Sequence, residues 1–342
     1  MKKTSFALFA LVVATALQAQ VNPGVAQADH NQTQRDTEKV LRAAQPGQAL
    51  PALYEDESAD VGPQSVLRAI KQPWFRGTLD AQAFYTDNMF YQNKGEQSAG
   101  VAVTSLEAAF MTRPCITPYA SYRAEVGYRH QFFNYFGHEN VQGALDVSDF
   151  DFDASTAFAK VTAQTKHYQF GIGVDYTRLL GFKPVRADDY DEFYSEVVPR
   201  WSVQRNFRIC DRSMVSLAYL GSFHFTDEAP PVIDPSTPSY IHLTGLADDR
   251  SERWEHTFIA AYSVALPHHF VAQPYYRFQF NDFVNTDNYL IQTVGLSVGW
   301  YPCANFSLRS FAGYNWSLAE NSDAVEYTKL DVGAGVSATI RF

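Results

Sequence analysis

The chain has 342 residues, of which 15% are aromatic and 19% are charged, and its formal net charge is −10. An acidic chain lacks the basic surface that nucleic-acid binding requires, so no nucleic acid is expected as a partner. Many Phe and Tyr residues with few charges favour strands and membrane interfaces over soluble helices.

The first residues have the pattern of a secretory signal peptide. Lys2 and Lys3 give a positive start, an apolar run follows over 6–17, and small residues near Ala19 suit cleavage. The run is shorter than the ~20 residues that a membrane-spanning helix needs. We therefore predict that residues 1–20 are a signal peptide and that the protein is exported.

Residues 21–72 are rich in Gln, Ala, Asp and Pro and poor in aromatic residues. Such a composition predicts a periplasmic N-terminal extension that is mostly irregular and partly disordered. Its one helical segment would be short and run from Thr33 to Ala44. The alternative is a plug inside the structure formed by the rest of the chain.

From Phe75 onward apolar residues recur at every second position, which is the pattern of β-strands. It is clearest from Leu330 to Phe342, where seven apolar residues alternate with small or polar ones. A turn at 165–167 makes two strands of 154–181 and gives an even number. Pro199 and Pro274 fall within strands, so a bulge or bend is expected at each. The predicted strands are 75–87, 99–112, 117–134, 154–164, 168–181, 191–207, 212–226, 254–266, 269–283, 288–301, 304–318 and 324–342.

The connections between these strands tend to alternate in length. Short ones lie at 113–115, 165–167, 209–211, 267–269 and 302–304, and longer ones at 88–98, 135–153, 182–190 and 227–253. Short periplasmic turns and longer extracellular loops are typical of outer-membrane barrels. The pattern predicts that both ends of the barrel segment, residues 73–342, are periplasmic.

The polar face of the strands carries isolated charges of both signs. A water-filled or salt-bridged lumen accommodates them, whereas aromatic side chains on the other face suit lipid. The pattern therefore favours an all-β fold, a transmembrane antiparallel up-and-down β-barrel of about twelve strands, over a soluble sandwich. The predicted lumen-lining charges are Asp80, Glu107, Arg123, Glu125, Arg129, Lys160, Asp175, Glu196, Arg200, Arg277, Arg309, Asp331 and Arg341.

The signal peptide, the alternating segments and the last strand together resemble bacterial outer-membrane β-barrel proteins as a class. Val336, Ala338, Ile340 and the terminal Phe342 look like the signal that the barrel-assembly machinery of that class reads. The resemblance covers residues 75–342 and indicates no subfamily. It implies a Gram-negative outer-membrane location, with membrane lipids and the assembly machinery as partners.

Two functions follow from the lumen charges. Seven of the predicted lumen charges are basic and six are acidic, so the net electric field in the lumen is small. The expected function is therefore a weakly selective passive pore or a structural barrel for small polar solutes. Eight strands leave an interior that side chains fill and 16–18 leave an open channel, so twelve do not decide between them. The alternative function is a closed barrel that binds or adheres through loops such as 227–253.

No enzymatic motif is present, and the expectation is that the protein is not an enzyme and has no cofactor. The third hypothesis is an outer-membrane hydrolase, which would need a Ser–His pair near the rim of the barrel. The spacing of Ser251, His224 and His256 in the sequence does not identify any of them as such a pair.

Metal and disulfide sites are not expected either. Asp149, Asp151 and Asp153 are weak candidates for a cation site, but a solvated acidic loop explains them as well. Cys115, Cys210 and Cys303 fall at turns about a third of the circumference apart, too far for disulfides within the chain. Free thiols are therefore expected, with intermolecular bridges as the alternative.

Overall fold

The structure is a computed structural model that describes residues 23–44, 73–91, 96–137, 147–181, 191–228, 251–284, 288–303, 305–319 and 326–342. The predicted signal peptide, residues 45–72 and most of the 227–253 loop lie outside these ranges. No helix within the described ranges is long and apolar enough to cross a membrane.

Twelve long antiparallel strands form a single closed sheet. Each strand pairs with its neighbours in the sequence, and β1 pairs with β12 to close the barrel. The strands are β1 Phe75–Thr86, β2 Ala99–Met111, β3 Ser121–Phe136, β4 Phe152–Gln164, β5 Tyr168–Leu180, β6 Glu192–Cys210, β7 Ser213–Glu228, β8 Arg253–Ala265, β9 Phe270–Phe283, β10 Tyr289–Cys303, β11 Phe306–Ala319 and β12 Thr328–Arg341. A two-residue bridge, Cys115–Ile116, pairs with the start of β3. The predicted twelve-stranded barrel is confirmed, including the turn at 165–167.

The two faces of each strand differ as the alternation predicts. In β12, Asp331 is 1% exposed, whereas its neighbour Val332 is 45% exposed. A soluble sandwich would bury the apolar face. Here the polar face is inside and the apolar face outside, and closure satisfies the backbone polar groups of every strand, as a lipid environment requires. The chain is therefore a transmembrane barrel of the outer-membrane type.

Of the bulge or bend predicted at the two prolines, the bulge is wrong. Pro199 lacks a partner on β7, but Arg200 pairs with Ser222 in an unchanged register. Pro274 lacks a partner on β8 and keeps its partner on β10. Each proline interrupts the ladder locally, because it has no N–H to donate, without shifting the strands.

The barrel has two distinct ends. At one end lie the five short turns, the start of β1 and the end of β12, where the Trp74 amide donates to the Phe342 carbonyl at 2.7 Å. We call this the turn end. The connections that follow β1, β3, β5, β7, β9 and β11 lie at the other end, the loop end.

Residues 23–43 form one helix, α1 (Pro23–Ala43), which lies inside the barrel. The prediction of a mostly irregular periplasmic extension over residues 21–72 is therefore wrong for residues 23–43, which are helical and lie in the lumen. The helix begins ten residues before Thr33, where the predicted helix starts. The plug alternative describes its position. With 21 residues it is about 32 Å long, close to the ~30 Å hydrocarbon thickness of a bilayer.

Candidate functional site

The helix α1 runs through the lumen from the loop end to the turn end. Near its last turn, the carbonyls of Leu41 and Ala43 accept hydrogen bonds from Gln273 at 2.7 Å and Asn206 at 3.0 Å. Asn206 lies close to the turn end of β6. At the other end of α1, Val25 packs among side chains of the loop end. The helix therefore begins at the loop-end mouth of the barrel and ends toward the turn-end mouth.

Charged residues of α1 pair with the wall on five different strands. The contacts join residues on several sides of the helix, so no single strand holds it. The pairs are Asp29 with Arg253 of β8 at 2.5 Å, His30 with Asp331 of β12 at 2.8 Å, Arg35 with Glu107 of β2 at 3.4 Å, Asp36 with Arg200 of β6 at 3.0 Å, and Glu38 with Arg309 of β11.

Uncharged side chains of α1 also hydrogen-bond with the wall. Gln32 accepts from Arg129 at 2.8 Å, and Asn31 accepts from Gln131 at 3.0 Å. Hydrogen bonds that involve a charged donor are stronger than neutral ones. Polar groups, and few apolar ones, therefore hold α1 along its middle.

The predicted lumen charges all lie on the inner face by strand parity, and most engage α1 or one another. Glu107, Arg129, Arg200, Arg277, Arg309 and Asp331 contact the helix. Asp80, Glu125, Lys160, Asp175 and Glu196 pair within the wall, with Arg309, Lys160, Glu125, Arg200 and His224 respectively. Arg123 donates to the Pro73 carbonyl at 3.2 Å at the turn end, and Arg341 is exposed there.

Sequence analysis missed several charges of the lumen. Arg253 is 2% exposed, although it lies one residue before the predicted start of its strand. Lys329 is fully buried, 3.6 Å from Asp331, and its amino group donates to the Tyr91 hydroxyl at 2.8 Å. The parity of Lys329, the same as that of Asp331, could have identified it.

A group of acidic residues and a histidine lies where α1 meets β6 and β7. Ligand atoms of Asp29, Glu196 and His224 are within 4.8 Å of one another, a spacing that a metal ion could use. However, the Arg253 guanidinium already bonds to Asp29 at 2.5 Å, and His224 Nδ1 lies 2.8 Å from Glu196. Protein cations already neutralise this cluster, and we interpret it as an ion network.

The weak metal candidates near the loop end have separate partners. Asp151 accepts the backbone N–H of Tyr135 at 2.6 Å, and Asp153 lies 3.6 Å from His130 Nε2. Asp149 lies in the 3₁₀ turn Val147–Phe150. The carboxylates of Asp151 and Asp153 therefore face different groups.

An apolar cluster covers the N-terminal end of α1 inside the loop end. Val25 is 1% exposed and packs with inward-facing aromatic and aliphatic side chains. The buried members include Phe84, Met89, Val101, Phe133, Val147, Phe150, Phe152, Leu179 and Tyr194. Two of the spaces left between α1 and the wall have volumes of only about 50 and 20 Å³, room for a few water molecules. At these two places α1 therefore packs closely against the wall.

The cysteines and the C-terminal residues lie at the turn end. Cys115, Cys210 and Cys303 are exposed and form no disulfide with one another. Phe342 is 65% exposed on the outer face, with its ring 6.0 Å from that of Phe75.

Comparison with known families and with curated proteins finds no match. Among solved structures, the chain is similar to the β domain of the Bordetella autotransporter BrkA, with 12% identity, 78% of this chain and 99% of that chain covered, and a TM-score of 0.48. It is similar to an outer membrane channel from Pseudomonas putida F1, with 12% identity, 84% and 100% covered, and a TM-score of 0.47. For the translocator domain of the autotransporter NalP from Neisseria meningitidis the identity is 9%, the coverage 92% and 97%, and the TM-score 0.44. These neighbours are bacterial outer-membrane β-barrels.

Proposed function

We propose that this protein is a gated channel of the bacterial outer membrane for small polar solutes, and that α1 is its gate. The observation that carries the proposal is the nature of the contact between helix and wall. It consists of ion pairs to five strands and hydrogen bonds along the middle of the helix. Such groups can exchange their partners for water, so the helix can leave without exposing a large apolar surface.

The helix has its own means of staying folded when it is released. Glu38 accepts from Arg42 at 2.7 Å, and Gln32 donates to Asp36 at 3.0 Å, both one helical turn apart. Pairs at this spacing stabilise isolated helices by about 0.2–0.5 kcal/mol each. A polar helix with such pairs suits a segment that moves between the lumen and water.

Without α1, the lumen would be lined by paired charges of both signs. Arg309 would keep Asp80 at 3.1 Å, and Lys160 would keep Glu125 at 3.3 Å. Beyond the predicted inner charges, seven basic and six acidic, the wall also carries Arg76, Arg253 and Lys329 and one further acid, Glu255. The open state would therefore be wet, and an excess of basic groups would give it a weak preference for anions.

The apolar cluster at the loop end favours a second candidate function. The burial of Val25 against Phe133 and Tyr194 stabilises the closed state at that mouth. A lumen closed permanently in this way fits a barrel that acts in binding or adhesion through its loops. The channel and the closed barrel differ in whether α1 ever leaves.

Single-channel recording in planar bilayers tests the proposal. We compare the native chain with the triple variant Asp29→Asn, Asp36→Asn and Glu38→Gln, which removes the acidic groups of α1 and leaves the wall unchanged. The matched control is Arg208→Gln with Asp211→Asn, an exposed ion pair at a turn.

The native chain and the control should open rarely, and the triple variant should open often with weak selectivity. Barrel folding is checked by heat-dependent electrophoretic mobility. A folded triple variant that never conducts would contradict the channel and favour the closed barrel.

A further inference from the structure

Three polar side chains lie on the outer, lipid-facing side of β3 and β4, close to the loop end. His130 and Ser155 are direct cross-strand partners. Their outward direction follows from strand parity, because Tyr128 on the same face as His130 is 49% exposed, whereas the adjacent Arg129 is 4% exposed and reaches α1. Asp153 precedes Ser155 by two residues and shares its face.

The distances among these groups match a nucleophile, a base and an orienting acid. Ser155 Oγ lies 2.8 Å from His130 Nδ1, and His130 Nε2 lies 3.6 Å from the Asp153 carboxylate. The carboxylate favours the proton on Nε2, so Nδ1 carries the lone pair that accepts the Ser155 hydroxyl proton. This division of roles activates serine nucleophiles on unrelated folds.

Two hydrogen-bond donors flank Ser155. The Tyr128 hydroxyl donates to Ser155 Oγ at 3.0 Å. Arg178 is the partner of Ser155 on β5, and its half-exposed side chain also bonds to Glu192 at 2.5 Å. Donors beside a nucleophile can stabilise the negative charge that develops on an ester oxygen, and a guanidinium also binds phosphate.

The position of the cluster indicates its substrate class. Ser155 is the fourth residue of β4 and His130 is the tenth of the 16 residues of β3, so both lie in the half of the outer face toward the loop end. Side chains of His130 and Asp153 are 19% and 16% exposed, which leaves them accessible. Acyl ester bonds of glycerophospholipids lie at the boundary between headgroups and acyl chains, which an outward-facing rim residue meets. We propose that Ser155, His130 and Asp153 form a site that hydrolyses these esters.

The chemical step balances with water as the only co-reactant. Ser155 Oγ bonds to the acyl carbon as its proton passes to His130 Nδ1, and the acyl C–O bond then breaks as the imidazolium protonates the leaving glyceryl oxygen. Water, deprotonated by the same imidazole, splits the acyl-serine and releases a fatty acid. Asp153 acts as a positioning residue for His130. This activity would overturn the expectation of a barrel without enzymatic function, and it is independent of whether α1 gates the lumen.

A second Ser–His pair inside the barrel provides a control. Ser222 Oγ lies 3.2 Å from His224 Nε2, but His224 also lies 2.8 Å from Glu196 and 3.6 Å from Glu255. Glu196 and Glu255 both compete with Ser222 for the His224 imidazole, so this histidine is not placed to serve Ser222 alone as a base. Ser222 is 8% exposed and faces the lumen, away from lipid.

The test uses the full chain reconstituted in phosphatidylethanolamine vesicles, with fatty-acid release and labelling by a fluorophosphonate probe as the two readouts. The native chain and Ser222→Ala should release fatty acid and be labelled, with the label on Ser155. Ser155→Ala should lose the label, and both Ser155→Ala and His130→Ala should lose release roughly a hundredfold or more. Asp153→Asn should lower kcat and leave KM unchanged.

Folding of every variant is checked by heat-dependent electrophoretic mobility. Equal release from folded Ser155→Ala and native chains would overturn the proposal. A folded native chain that neither releases fatty acid nor takes the label would overturn it as well.

Discussion

Asp36 of α1 lies 3.0 Å from Arg200 of β6, although 164 residues separate them in the chain. Arg200 also lies 3.4 Å from Asp175 of β5, so one guanidinium links the helix to two neighbouring strands. Loss of either Asp36 or Arg200 leaves the other charge partly unpaired in the lumen.

Exchanging the charges of Asp36 and Arg200 should show whether charge attraction, rather than the shape of the two side chains, holds α1 against the wall. Arg200→Asp should weaken the docking of α1 by about 3–5 kcal/mol, because it places a carboxylate opposite Asp36 and Asp175. Adding Asp36→Arg to Arg200→Asp should restore part of that loss. Channel open probability and proteolysis of α1 measure the docking, and a double variant no better docked than Arg200→Asp would contradict the pairing.

Thiol labelling should report the orientation of the barrel. Cys115, Cys210 and Cys303 are exposed at the turn end, so their accessibility depends on which side of the membrane that end faces. If the turn end is periplasmic, as the connection lengths predict, a large membrane-impermeant maleimide should label none of them in intact cells and should label them after permeabilisation. The permeabilised sample serves as the positive control, and a soluble periplasmic protein with one exposed cysteine reports leakage of the reagent into intact cells. Labelling of the native cysteines in intact cells would reverse the orientation.

Removal of the terminal ring should impair assembly. Phe342 donates its N–H to the Phe75 carbonyl at 3.1 Å, and its ring lies beside that of Phe75. These are the last contacts at the turn end of the β1–β12 pairing that closes the barrel. Phe342→Ala should cost about 1 kcal/mol from the aromatic contact alone and should also lower the yield of folded barrel in the membrane. Phe110→Ala, another exposed ring near this end, is the matched control, and equal yields from both variants would argue against an assembly signal at Phe342.

The strands could be predicted from the sequence because lipid and lumen impose opposite demands on adjacent residues. Alternation from Leu330 to Phe342 is such a case, and β12 ends within a residue of the prediction. The inner position of Asp331 and Arg277 follows from parity alone.

The position of α1 could not be predicted in the same way, because its sequence is polar on nearly every side. A helix of that kind shows no apolar stripe that would indicate burial. Its partners, such as Arg253 for Asp29, lie 224 residues away, and only the closed barrel brings them together. The meeting of His130 with Ser155 likewise depends on the register between β3 and β4, which spacing along the chain does not give.

The direction of α1 bears on the order in which the protein forms. The helix precedes β1 in the chain, and the β1–β12 pairing that closes the ring joins its first and last strands. A sheet that curls while this seam is still open can wrap around a segment already lying along its concave side. The ring then shuts with the helix enclosed, and no free end has to be pulled through a finished cylinder.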